Sequence, residues 1–110
     1  MIEALEITVS CPDDGVARAI ADALLAGHLA ACCTVSGPVE SRYVWHGAVE
    51  TASEVVLAIK TRAALFDAAA ELIRTHHPYD TPAIFGHAVA LTDAATSAWL
   101  DETTRTEELA

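Results

Sequence analysis

Val39-Glu40-Ser41-Arg42-Tyr43-Val44-Trp45 and Ala48-Val49-Glu50-Thr51-Ala52-Ser53-Glu54-Val55-Val56-Leu57-Ala58-Ile59-Lys60 flank the dipeptide His46-Gly47. Side chains alternate across a strand, so Val39, Ser41, Tyr43 and Trp45 share one face of the first run. Val55, Leu57 and Ile59 share one face of the second, with Glu50 and Lys60 in the opposite set. His46-Gly47 has the length of a two-residue hairpin turn, with glycine free to take a positive φ. The two arms make a hairpin that is long for a chain of 110 residues. A single domain of this size cannot cover both arms along their whole length. The exposed end is therefore expected to pair with, or pack on, another subunit.

Upstream, Ser36-Gly37-Pro38 marks a bend or bulge, because proline cannot donate to a central ladder. The extended pattern begins near Ala31. Before it, Val16, Ala19, Ile20, Ala23 and Leu24 recur at helical spacing, and this predicts an apolar helix face. Cys11-Pro12-Asp13-Asp14 suits the helix start, where carboxylates meet the positive end of the dipole. Gly27 is expected to end the helix in a left-handed conformation. Leu5, Ile7 and Val9 alternate with polar residues as a first strand. Downstream, Thr61 is expected to cap a second helix with Leu65, Ala69, Leu72, Ile73 and His76 inward, stopped by Pro78. Ala83–Leu91 reads as a strand with Phe85, His87, Val89 and Leu91 on one side. Thr92 or Asp93 is expected to cap a short third helix carrying Trp99 and Leu100. The order β-α-β-β-α-β is that of a ferredoxin-like α+β sandwich with a long β-hairpin, plus a short C-terminal helix. One domain over residues 1–105 is expected, with an acidic tail over 106–110.

Composition narrows the partners. The hydrophobic fraction is 53% and the charged fraction 20%, as in a folded domain. A chain this size buries about 65% of the surface that its unfolded form exposes. Sixteen acidic residues face six basic ones, a net charge of −10, and Lys60 is the one lysine. Such a surface repels phosphate backbones and anionic lipid, so neither nucleic acid nor membrane is expected as a partner. No apolar run approaches the roughly 20 residues of a membrane span. The first residues carry acids and no base, unlike a signal peptide, and a cytoplasmic location is expected. Three cysteines, Cys11, Cys32 and Cys33, give no disulfide framework.

Candidate chemistry is sparse. No glycine-rich phosphate loop, nucleophile elbow, HExxH or CxxC motif is present, and no enzymatic set can be assembled. Cys32 and Cys33 are adjacent on a strand and point to opposite faces, so at least one belongs to the core. Cys11 stands at the junction of strand and helix, where a helix N-terminus lowers a thiol pKa. His76 and His77 close the second helix and are candidate metal ligands, alongside a structural role against the helix dipole. Adjacent helical residues diverge by about 100°, so a third ligand from another chain would be needed. His28 and His46 read as solvated turn residues, and His87 as an interior histidine. Tyr43 and Trp45 read as an interface plug.

Leu29-Ala30-Ala31-Cys32 and Tyr43-Val44-Trp45-His46-Gly47-Ala48-Val49-Glu50 together resemble the hairpin signature of the CutA family. Val56–Thr61 is similar to its "IKT" strand. His76-His77-Pro78-Tyr79-Asp80-Thr81-Pro82-Ala83-Ile84 is similar to its HPY loop, and Thr96–Leu100 to its terminal helix. The resemblance spans roughly Glu3 to Arg105. It implies a ferredoxin-like subunit, a homotrimer with interlocking hairpins, no enzymatic activity, and tolerance of divalent cations, especially copper. By position it implies an intersubunit cleft containing Cys32, Tyr43, Trp45, Glu50, Lys60, His77, Pro78 and Tyr79, with Trp99 nearby. Thr96, Val44 and Ala83 depart from the family pattern, and Cys33 is an additional thiol. The metal expectation is copper or another divalent cation, held weakly by Cys32, His77, Cys11 and His76. The competing expectation is a PII-like sensor that binds a small anionic metabolite in the cleft and acts on an unidentified protein partner.

Overall fold

The computed structural model describes residues 2–105; the tail expected over 106–110 lies outside the described residues. The elements are β1 (Ala4–Cys11), α1 (Asp14–Ala26), β2 (Cys32–Trp45), β3 (Ala48–Arg62), a single 3-10 turn (Ala63–Leu65), α2 (Phe66–His76), β4 (Ile84–Ala88) and α3 (Ala94–Thr103). The strands form one sheet in the order β2-β3-β1-β4, with every neighbouring pair antiparallel. β1 and β2 run the same way with β3 between them, which is the split βαβ arrangement the sequence predicts. The molecule measures 45 × 26 × 22 Å, and the 14- and 15-residue hairpin arms account for the long dimension.

One sheet face carries the core. Ile7 and Val9 of β1 and Leu57 and Ile59 of β3 are cross-strand partners, and all four are buried. Ile20 and Leu24 of α1 and Ile73 of α2 pack on them. The buried stripe of α1 is Ala17, Ile20, Ala21 and Leu24; Ala19, expected inside, is exposed. The spacing is helical either way, and the larger Ile20 and Leu24 set the helix rotation.

Local chemistry shaped several boundaries differently from expectation. Asp13 caps α1 by accepting from the Val16 N–H at 2.9 Å. Gly27 is not left-handed (φ −87°); His28 is, at φ 59°. The Leu29 N–H reaches the Leu24 carbonyl and the His28 N–H the Leu25 carbonyl, which is a Schellman closure with His28 in the left-handed position. Thr61 caps nothing. β3 runs on to Arg62, and the buried Thr61 hydroxyl donates to the Leu29 carbonyl at 2.8 Å instead. The final strand is shorter than Ala83–Leu91, and Leu91 is 90% exposed. α2 does stop before Pro78, with His77 extended (ψ 135°).

Two irregularities aim the hairpin. His46 and Gly47 both have positive φ (50° and 80°), so the turn is of the primed type that matches strand twist. At the bend, register passes from Ser36 opposite Val56 to Val39 opposite Glu54, so β2 carries one extra residue. Gly37 sits there at φ 145°, where a Cβ would meet the Val55 Cα at 3.1 Å. The extra residue reverses the parity of the strand. Cys32 and Thr34 below the bulge share a face with Tyr43 and Trp45 above it, the face turned away from the helices.

Candidate functional site

That open face holds two separate groups of polar residues. The upper group surrounds a pocket of about 510 Å³ between the far half of the hairpin and the loop after α2. Tyr43 and Trp45 come from β2, Glu50 and Glu54 from β3, and Tyr79 and Asp80 from the loop. Tyr43 is the cross-strand partner of Glu50. Glu54 is buried, and its carboxylate accepts a 2.7 Å hydrogen bond from the Tyr79 hydroxyl. Burial first, then that bond and the Glu54 charge, push the Tyr79 phenol well above its ordinary pKa. Partial burial, then Glu50 and Glu54, raise Tyr43 as well. Both phenols therefore stay protonated at neutral pH, and that of Tyr79 donates to Glu54.

The loop is set by His77. Its Nε2 lies 2.8 Å from the Ser10 carbonyl, and its Nδ1 accepts the Tyr79 N–H at 3.2 Å. The first contact needs a proton on Nε2 and the second a lone pair on Nδ1, so the ring is neutral with both nitrogens engaged. It is buried, with the Tyr79 ring 4.6 Å away. His77 thus positions Tyr79 and has no free lone pair for a metal in this conformation. His76, expected on the inner stripe, is exposed; its Nδ1 contacts the Leu72 carbonyl at 2.9 Å and Nε2 faces solvent.

The lower group is a row across the sheet. Cys32, Lys60, Glu6 and His87 are successive cross-strand partners on β2, β3, β1 and β4. Lys60 and Glu6 form an ion pair at 2.7 Å. His87 is exposed, not interior, because its side of β4 carries no covering layer. Cys32 is half-buried, whereas Cys11 is fully buried in the core. Burial, with Glu54 and Asp13 adding, pushes the Cys11 thiol up to about 11. The helix N-terminus beside it does not lower it as expected, since desolvation of a thiolate outweighs the dipole. Burial likewise raises Cys33 to about 11.

The anticipated cleft set therefore divides within one chain. Tyr43, Trp45, Glu50 and Tyr79 come together. Lys60 and Cys32 stand at the other end of the hairpin, and Lys60 is ten residues from Glu50 along β3, about 33 Å at 3.3 Å per residue. Pro78 and Trp99 are exposed and do not line the pocket. Glu54 and Asp80 were not anticipated as site residues. Glu54 shares strand parity with Glu50, a legible signal, but its burial depends on Tyr79. Among the described residues, no three His, Cys, Asp or Glu side chains converge tightly enough to hold a metal ion. No helix among them is long and apolar enough to cross a membrane. The pocket presents carboxylates without a basic side chain among its described lining, which is the wrong sign for an anionic metabolite.

The family profile of the CutA1 divalent ion tolerance protein matches residues 5–103. The chain belongs to the CutA1 family. A divalent-cation tolerance protein CutA from Citrobacter koseri is 34% identical over 103 residues, covering 94% of this chain and 90% of that one. The chloroplastic CutA 1 of rice is 31% identical over 94% of this chain, which spans 59% of the rice protein's length. The crystal structure of CutA1 from Oryza sativa superposes with a TM-score of 0.91 at 31% identity, covering 94% and 95% of the two chains. CutA1 proteins are named for tolerance of divalent ions and not for a reaction.

Proposed function

We propose that this chain is a non-enzymatic divalent-cation tolerance protein that assembles as a homotrimer and takes copper weakly at sites completed between subunits. The observation that carries the reading is the uncovered far half of the hairpin. Val44 and Val49, directly paired at its tip, are 70% and 75% exposed, and Trp45 beside them is 45% exposed. An uncovered tip of this kind, with paired valines on one face and a tryptophan on the other, supports an association surface, and the number of copies follows the family resemblance.

Ligand chemistry supports copper over magnesium. Thiolate suits Cu(I) and imidazole Cu(II), whereas magnesium takes oxygen donors. Cys32 and His76 are the accessible soft ligands; Cys11 and His77 are occupied by the fold. Three free thiols fit a reducing compartment, and we place the protein in the cytoplasm on that ground.

Sedimentation of the purified chain at micromolar concentration tests the assembly, with a folded monomer as the result against it. Calorimetric titration with Cu(I), Cu(II) and Mg²⁺ tests the metal. Cys32→Ala and His76→Ala are expected to weaken copper binding. Affinity is expected to fall on acidification, since imidazole and thiolate bind metal only without their protons. Copper binding no tighter than magnesium, or untouched by both substitutions, removes the metal assignment and leaves the assembly standing.

A further inference from the structure

The far half of the hairpin leaves the sheet at a level where two supports end together. The last pair between β1 and β3 is Cys11 opposite Val55. The β2–β3 register breaks at the same level, passing from Ser36 opposite Val56 to Val39 opposite Glu54. Gly37, Pro38 and Val55 take no place in that pairing, and a proline has no N–H to donate. Residues 39–54 therefore form a two-stranded arm joined to the body through a bulge. A two-stranded ribbon is marginal in water by itself, and a bulge bends the strand that carries it. Backbone pairing alone sets the direction of such an arm loosely.

A run of side-chain contacts bridges the break. It starts in the last row that β1, β3 and β2 share, Ser10, Val56 and Ser36. The Ser10 carbonyl accepts from His77 Nε2 at 2.8 Å, and His77 Nδ1 accepts the Tyr79 N–H at 3.2 Å. The Tyr79 hydroxyl donates at 2.7 Å to Glu54, in the first row of the arm. Glu54 and His77 are each only 7% exposed, so water competes little for these contacts. A hydrogen bond to an ionised acceptor is about twice as strong as a neutral one. Among the described residues, the Tyr79–Glu54 bond is the one hydrogen bond that ties the arm to the body outside the hairpin's own ladder.

We propose that His77 and Tyr79 act as a strap that fixes the direction of the arm, so that releasing it loosens the arm and leaves the body folded. The strap lies within one chain, uses neither Cys32 nor His76, and needs no metal. Its consequence for assembly rests on the association reading: a loosened arm has to be ordered on docking, which costs conformational entropy.

The test is hydrogen exchange of the full chain, read by mass spectrometry, in wild type, Tyr79→Phe, Glu54→Leu and the double variant. Tyr79→Phe keeps the ring and removes one hydroxyl. It is expected to speed exchange about tenfold over residues 39–54 and the loop 78–82, and to leave β1 and residues 57–61 at the wild-type rate. Glu54→Leu is expected to act in the same places. The double variant is expected to go no further than the larger single effect, because each change removes the same bond. The series is repeated in a Trp45→Ala background, expected to dissociate, so that a partner covering the arm does not hide the effect. Arm exchange unchanged by Tyr79→Phe in both backgrounds overturns the proposal. A rise spread equally over arm and body also overturns it, since the bond would then serve global stability alone. Additive single effects overturn it as well. A wild type that sediments as a folded monomer removes the assembly reading and leaves the exchange contrast to decide the strap, so the two fail separately.

Discussion

The lower and upper halves of the β2–β3 hairpin follow the same alternation and end in opposite environments. In the lower half, Leu57 faces Val9, Ile59 faces Ile7, and α1 closes over them, so all four are buried. In the upper half, Val44 faces Val49 across the same kind of ladder, yet both are mostly exposed. β1 pairs with β3 no further than Cys11 opposite Val55, and beyond that point β3 has only β2 beside it. Pattern tells which side of a strand is apolar; the lengths of neighbouring elements decide whether anything covers it. The Val44–Val49 pair is the part of the ladder that no other element among the described residues covers.

The largest expected effect lies in the lower half. Leu57→Ala removes a fully buried side chain between β1 and α1. It is expected to lower unfolding stability by about 2–5 kcal/mol, the range of large-to-small core substitutions. Denaturant unfolding with an unchanged slope checks it. A loss below about 1 kcal/mol would mean the lower half is not the stable part.

Next comes Arg62, at the base of β3. Its guanidinium reaches the Thr104 hydroxyl at 2.9 Å and both the carbonyl and carboxylate of Asp101 at 2.7 Å, pinning α3 to the sheet. The Arg62 side chain is only 11% exposed. Arg62→Ala strands these acceptors and is expected to cost about 2–3 kcal/mol. The Arg62 hydrogen bond, with Arg105 contributing, holds the Asp101 carboxyl below its usual value. A depressed carboxyl contributes stability that is full above its unfolded pKa, about 3.9, and is lost as pH falls through the folded value. Acid titration of stability is therefore expected to flatten in Arg62→Ala below about pH 4.

Trp45→Ala moves the comparison to the upper half. Truncating a tryptophan at an interface typically costs about 2 kcal/mol or more of association. The expected result is dissociation at higher protein concentration, seen by sedimentation, while the circular dichroism of the folded subunit persists. Equal stability of wild type and variant assemblies would show that the overhang is not the contact.

Sequence alone located the hairpin, its turn, the helix stop before Pro78 and the split βαβ order, because alternation, His46-Gly47 and X-Pro restrictions act within a few residues. It located Tyr43, Trp45, Glu50 and Tyr79 as neighbours through family resemblance. The rest was set by partners distant in the chain. Thr61 fits a helix cap until Leu29 offers its carbonyl. Cys11 looks activated by a helix start until the core closes over it. Glu54 reads as one more surface acid until Tyr79, 25 residues away, folds across it. The bend at Ser36-Gly37-Pro38 was visible, but its reversal of strand parity follows only from counting residues against β3. That reversal puts the aromatic residues and carboxylates on one face.

The smallest expected effect comes from the upper half's own ion pair. Arg42 lies 3.3 Å from Glu40, and both side chains are more than half exposed, at 69% and 60%. They sit two apart on one strand, and among the described residues no third charged group lies within ion-pair distance of either. Coulomb attraction at the dielectric of water is weak at this distance, and ordering two long side chains offsets much of it. Arg42→Gln is therefore expected to change unfolding stability by no more than about 0.5 kcal/mol, and by less in high salt. The contrast with Arg62 uses the same residue type on the same hairpin, so charge and side-chain entropy nearly cancel from the comparison and burial remains. A loss near 2 kcal/mol at Arg42 would place that arginine in a covered setting in the assembly. The covered length of the overhang would then extend from Trp45 down to Arg42.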